Sequence, residues 1–85
     1  SKVPQQSEVV IDLIPNWRAE LMVNGVPIPS DQMTVIEPQS RFAFQPGAGK
    51  EIEALQPGQN CVVATYWPLA NPEQRFSRSW CFTVV

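Results

Sequence analysis

Histidine is absent from this 85-residue chain, and with it the commonest general base, proton shuttle and metal ligand. Catalytic arrangements that set a histidine beside serine or cysteine are excluded. Positive charge is scarce as well: six basic residues against eight acidic ones leave a net charge of −2. Lys2, Arg18, Arg41, Lys50, Arg75 and Arg78 are dispersed, so no basic stripe forms for the phosphates of a nucleic acid. The same dispersal leaves no polybasic segment for an anionic membrane surface. No apolar run nears the roughly 20 residues that a membrane-spanning helix needs. The polar residues 1–7 do not read as a secretory signal. The chain opens on Ser1 without a methionine, and the expectation is a processed or excised piece of a longer membrane-anchored or secreted protein.

Room for helix is also lacking. Nine prolines against four glycines are spread along the chain, and a proline costs about 3 kcal/mol inside a helix. The intervals between them are mostly strand-sized. Residues 1–7 read as a loose lead-in and residues 8–85 as one domain. Residues 8–14 carry Val9, Val10, Ile11, Leu13 and Ile14 with Asp12 on the solvent side, a strand pattern ended by Pro15. Residues 19–23 and 26–28 flank Asn24-Gly25, the strongest short signal for a type I′ hairpin turn. Pro27 and Pro29 confine the return strand to a sheet edge, because neither can donate to a ladder. Residues 33–36 and 41–45 make two more short strands. Residues 51–55 are good helix formers of one turn's length, so a short helical turn is expected there. Pro57-Gly58 forms a corner, with Gly58 taking positive φ. About seven short strands separated by turns, with no segment for a crossover helix, predict an all-β antiparallel sandwich.

The two cysteines lie in the last pair of strands, residues 61–67 and 76–84. An antiparallel register that opposes Cys61 to Cys81 also opposes Val62 to Trp80, Ala64 to Arg78 and Tyr66 to Phe76. Opposed residues on neighbouring strands are close enough for a disulfide. A domain this small buries a modest share of its surface, so a bridge worth roughly 3 kcal/mol would matter. Such a bridge points to an oxidising, extracytoplasmic location: periplasmic, cell-surface or secreted. In this register Trp80, Phe82 and Val84 face inward with Val62, Ala64 and Tyr66. They would pack on Phe42, Phe44, Ile11 and Leu13. Arg78 falls on the same inner face, which calls either for snorkelling over the rim or onto Tyr66, or for a bulge that shifts the register.

Groups that could carry chemistry are few. Glu51 and Glu53 read as a charged surface loop, with nothing to suggest the cleft that a glycosidase pair requires. Gly47-Ala48-Gly49-Lys50 lacks the leading glycine of a phosphate loop and has Glu51 where Ser or Thr is needed. Met22 and Met33 read as core filler. No catalysis, metal or cofactor is expected.

The stretch Leu55-Gln56-Pro57-Gly58-Gln59-Asn60-Cys61-Val62-Val63-Ala64-Thr65-Tyr66 resembles the L-x-P-G-x-x-x-V-x-x-x-Y corner and penultimate strand of immunoglobulin-like and fibronectin-like sandwiches. Ser79-Trp80-Cys81-Phe82-Thr83-Val84 is similar to the closing F-x-V strand of bacterial immunoglobulin-like extracytoplasmic domains, copper-resistance proteins among them. The likeness covers about a third of the chain. Two departures stand out: the bridge would link neighbours in one sheet rather than cross the core, and Asn60-Cys61 stands where the tyrosine corner belongs. The resemblance implies an immunoglobulin-like sandwich serving as an interaction or accessory module of a larger bacterial protein. A protein partner, or the rest of its own chain, is then expected, without membrane insertion by this segment. Copper is disfavoured because histidine ligands are missing. The alternative is a carbohydrate- or ligand-binding module using Trp17, Trp67 and Tyr66, with Trp67 facing outward and Trp17 joining it. In the plainer arrangement both tryptophans cap the ends of the sandwich.

Overall fold

Apolar and polar residues alternate along the strands, and the alternation sorts them onto two faces. The computed structural model describes residues 2–85. Its strands are β1 (Lys2–Val3), β2 (Val9–Asp12), β3 (Trp17–Val23), β4 (Val26–Pro27), β5 (Thr34–Ile36), β6 (Arg41–Phe44), β7 (Gly58–Pro68) and β8 (Phe76–Val84). They form a larger sheet in the order β1-β8-β7-β3-β4 and a smaller one in the order β2-β6-β5. Pairing is antiparallel except between β1 and β8, where Lys2 and Val3 lie parallel to Thr83 and Val84. The all-β, two-sheet architecture expected from the sequence is present.

One core lies between the sheets. Ala19, Leu21 and Val23 of β3, Val62 and Ala64 of β7, and Val84 of β8 meet Val9, Ile11, Phe42 and Phe44 of the smaller sheet. Leu13, Trp80 and Phe82 pack against this cluster while staying partly exposed. Asn24 (φ 51°) and Gly25 (φ 80°) make the turn between β3 and β4, both in the left-handed region that type I′ demands. Gly58 has φ 91°, as the Pro57-Gly58 corner requires. Pro27 sits at the outer edge of the larger sheet, where a missing N–H costs no ladder bond.

Cys61 and Cys81 are bonded, with Cα atoms 4.1 Å apart, and the register from Gly58↔Val84 to Tyr66↔Phe76 is unbroken. Arg78 thus opposes Ala64 with no bulge between them.

Buried polar groups are few and paired. The fully buried Asn60 donates through Nδ2 to the carbonyls of Gln56 (2.8 Å) and Gly58 (3.2 Å), and its Oδ1 accepts from Asn24 Nδ2 at 2.8 Å. Ser40, also fully buried, accepts the Trp17 N–H on its hydroxyl and the Leu13 N–H on its carbonyl. It ties the crossing from β2 to β3 onto the start of β6.

Three features differ from the sequence reading. Residues 51–55 form no helical turn; short 3₁₀ turns occur instead at Ser30–Gln32 and Glu37–Gln39. Leu55 is buried and its N–H donates to the Gln5 carbonyl at 2.9 Å, so a distant partner takes the group that a helix would use. Lys2–Val3 is a strand within the segment read as a loose lead-in, and two residues are too few to display an alternation. Met22 is not core filler. It shares the outer face with Glu20, opposite in parity to buried Leu21 and Val23, and is 38% exposed; Met33 does pack on the core.

Candidate interaction surface

The hairpin of β7 and β8 is far longer than any strand of the smaller sheet: 11 and 9 residues against 4, 4 and 3. Its core-side face therefore runs on beyond the cover that β2, β6 and β5 provide. Burial falls along that face from Val62 and Ala64, which are fully buried, through half-buried Tyr66 to exposed Phe76 and Arg78.

Trp17 opposes Pro68 and Ala19 opposes Tyr66 across β3 and β7. Trp17, Tyr66 and Phe76 gather on this face, their ring centroids 5.8–5.9 Å apart, with Tyr66 and Phe76 stacked. Trp67 points to the opposite face. There Arg75 lies over its ring at 4.1 Å and reaches Glu20 at 3.7 Å. Of the three aromatic residues singled out from the sequence, the fold joins Trp17 to Tyr66 and separates both from Trp67. The alternative that joined Trp17 to Trp67 on the outer face does not match the register, in which Arg18 opposes Trp67.

Next to the aromatic group, the side of the sandwich between β2 and β8 is open. A cavity of about 290 Å³ is lined by Val10, Ile11, Asp12, Arg78 and Trp80. A second of about 300 Å³ adjoins it, sharing Val10 and Trp80 and adding Val9 and Phe82. Asp12 is already engaged by Arg41 at 3.1 Å, and Arg41 also reaches Glu8 at 3.7 Å. Arg78 has no ion-pair partner among the described residues: the four pairs use Arg18, Arg41 and Arg75. Sequence alternation placed Arg78 on the inner face. That it lies uncovered depends on the length of the other sheet, which no local pattern gives.

The remaining candidates are tied down or dispersed. Lys50 donates to the Gln45 carbonyl at 2.7 Å and lies over the Phe44 ring, folded back from any phosphate-binding posture. Glu53 accepts the Gly49 N–H, and Glu51 is exposed. Among the described residues, no three histidine, cysteine, aspartate or glutamate side chains are grouped to hold a metal ion. No helix among them is long and apolar enough to cross a membrane. The fold and surface define a disulfide-linked β-sandwich with an uncovered hairpin face. No protein-family model, curated protein or solved structure matches the chain.

Proposed function

We propose that this domain is a non-catalytic interaction module of immunoglobulin-like architecture, acting outside the cytoplasm as part of a larger bacterial protein. The observation that carries the proposal is the uncovered inner face of the β7–β8 hairpin, where Trp17, Tyr66, Phe76 and Arg78 are presented beside an open cleft. Exposed aromatic and arginine groups of this kind are enriched where proteins dock.

Strand order supports the architectural part. The series β2-β6-β5 and β8-β7-β3-β4 run in the B-E-D and G-F-C-C′ orders of such sandwiches. Asn60 supports it too: at the start of β7 it bonds back to the Gln56 carbonyl four residues upstream, doing the tethering that a corner tyrosine does in that family. The Cys61–Cys81 bond supports an oxidising compartment.

Immobilising the chain against an extracytoplasmic protein fraction, with a glycan array probed in parallel, tests the reading. Saturable retention of a polypeptide, weakened by Phe76→Ala or Arg78→Ala, supports it. Glycan binding that is lost with Trp17→Ala, alongside no retained polypeptide, overturns it in favour of a carbohydrate module.

A further inference from the structure

The outer edge of β8 is an open hydrogen-bonding template. β1 reaches only Thr83 and Val84, so residues 76–81 have no neighbour on that side among the described residues. Which backbone groups are free follows from the disulfide pair. The Cys61 N–H donates to Asn24 Oδ1, and the Cys61 carbonyl accepts the Asn24 N–H, both at 2.8 Å on the β3 side. Cys61 therefore exchanges no backbone bonds with Cys81. Bonded and non-bonded positions alternate in an antiparallel ladder. The N–H and C=O groups of Cys81, Ser79 and Ser77 thus point away from β7, towards the empty edge.

That edge is lightly guarded, its one charge being Arg78 on the inner face. Natural sheets protect exposed edges with prolines, lysines and other charges, bulges or very short strands. β4 carries Pro27, and β5 has only three residues. β8 has neither proline nor lysine, and its register is unbroken. The side chains of Ser77 and Ser79 are small and lie on the outer face, leaving the backbone approachable. On the inner face the edge presents Phe76, Arg78 and Trp80 in alternation, beside the cavities that Val10 and Phe82 help to line.

We infer that residues 77–81 of β8 accept an extended strand from a partner protein, and that this strand carries a carboxylate flanked by apolar residues two positions away on each side. Backbone bonds to Ser77, Ser79 and Cys81 supply the attachment, as in other strand-addition complexes. The carboxylate meets Arg78, the inner-face cation without an ion-pair partner among the described residues, while the apolar side chains meet Phe76 and Trp80 at the mouth of the cleft. A second copy of the chain fits less well, because antiparallel pairing of two β8 edges centred on residues 77–79 brings two Arg78 side chains together on one face. The inference rests on the interaction-module reading and specifies its ligand.

A capped heptapeptide, Thr-Val-Thr-Glu-Thr-Val-Thr, is the probe, its valines and glutamate sharing one face of an extended strand. In a magnetic-resonance titration of the isotope-labelled chain to millimolar peptide, saturable shifts and slowed exchange are expected at the amides of Ser77, Ser79 and Cys81. Ser79→Pro deletes one outward N–H and leaves the β7 ladder intact, so it should fold and lose binding. Arg78→Glu should weaken binding about tenfold and favour a peptide with lysine at the centre. The inference is overturned by absence of shifts, by indifference to Arg78→Glu, by binding that survives in folded Ser79→Pro, or by self-association through these residues without peptide. Retention of a natural polypeptide equally by the parent and Ser79→Pro chains would sink the edge while leaving the interaction module standing.

Discussion

Replacing Cys61 and Cys81 together by serine isolates what the crosslink contributes. The bond joins residues 20 positions apart, and in the chain-entropy picture closing a loop of that length restricts the unfolded ensemble by about 3 kcal/mol. The native hairpin does not depend on it for alignment. β7 and β8 are paired from Gly58↔Val84 to Tyr66↔Phe76, and β3 holds β7 from the other side from Trp17↔Pro68 to Val23↔Val62. Both sulfurs lie on the outer face, where serine hydroxyls are readily hydrated. The double variant should therefore keep the fold and lose stability. For a domain of this size each kcal/mol moves the melting temperature by roughly 4–8 °C, so a fall of roughly 12–24 °C is expected. Thermal melts followed by circular dichroism, on the oxidised parent and the variant under identical buffer, measure it. A variant that melts within about 4 °C of the parent would refute the reasoning. A variant lacking β-sheet signal at low temperature would refute the claim that the ladders align the strands unaided.

Asn60→Ala removes three hydrogen bonds from a fully buried site, and at about 1 kcal/mol each the loss should be about 2–3 kcal/mol in urea unfolding. A change below about 0.5 kcal/mol would show that the corner does not depend on this side chain. Phe44→Ala should cost about 3–5 kcal/mol, because Phe44 is fully buried at the centre of the core. Phe76→Ala, at a residue 42% exposed, should cost under about 1 kcal/mol by the same measurement; equal losses at the two sites would contradict the assigned core.

The hairpin register was legible because covalent chemistry restricts it: once Cys61 faces Cys81, every pair from Val62↔Trp80 to Tyr66↔Phe76 follows. The β3–β4 turn was legible because Asn24-Gly25 tolerates two successive positive φ values where most dipeptides do not. The place of Trp17 beside Tyr66 was not. Alternation with Ala19, Leu21 and Val23 gives its face, but its neighbour depends on how β3 registers against β7, strands far apart in sequence and linked by no local signal. Residues 51–55 were misread for a related reason. Their helix propensity is real but small, and the burial of Leu55 with its bond to Gln5 outweighs it. Arg78 marks the boundary: alternation assigned its face, while its exposure is set by the shortness of three strands in the other sheet.

The order in which the strands appear along the chain has a consequence for maturation. Apart from the two-residue β4, every partner of β3 and β1 in the larger sheet lies after residue 57. During synthesis the smaller sheet is available first, but Phe42, Phe44 and Ile11 would have only the β3–β4 hairpin opposite them until β7 arrives. Productive folding is thus deferred until β7 and β8 have emerged, and meanwhile non-local pairings close slowly and apolar strands stand exposed to aggregation. Both thiols lie in these late strands, Cys61 in β7 and Cys81 in β8, so a chain translocated before completing its sheets would reach an oxidant with the linkage still to be made.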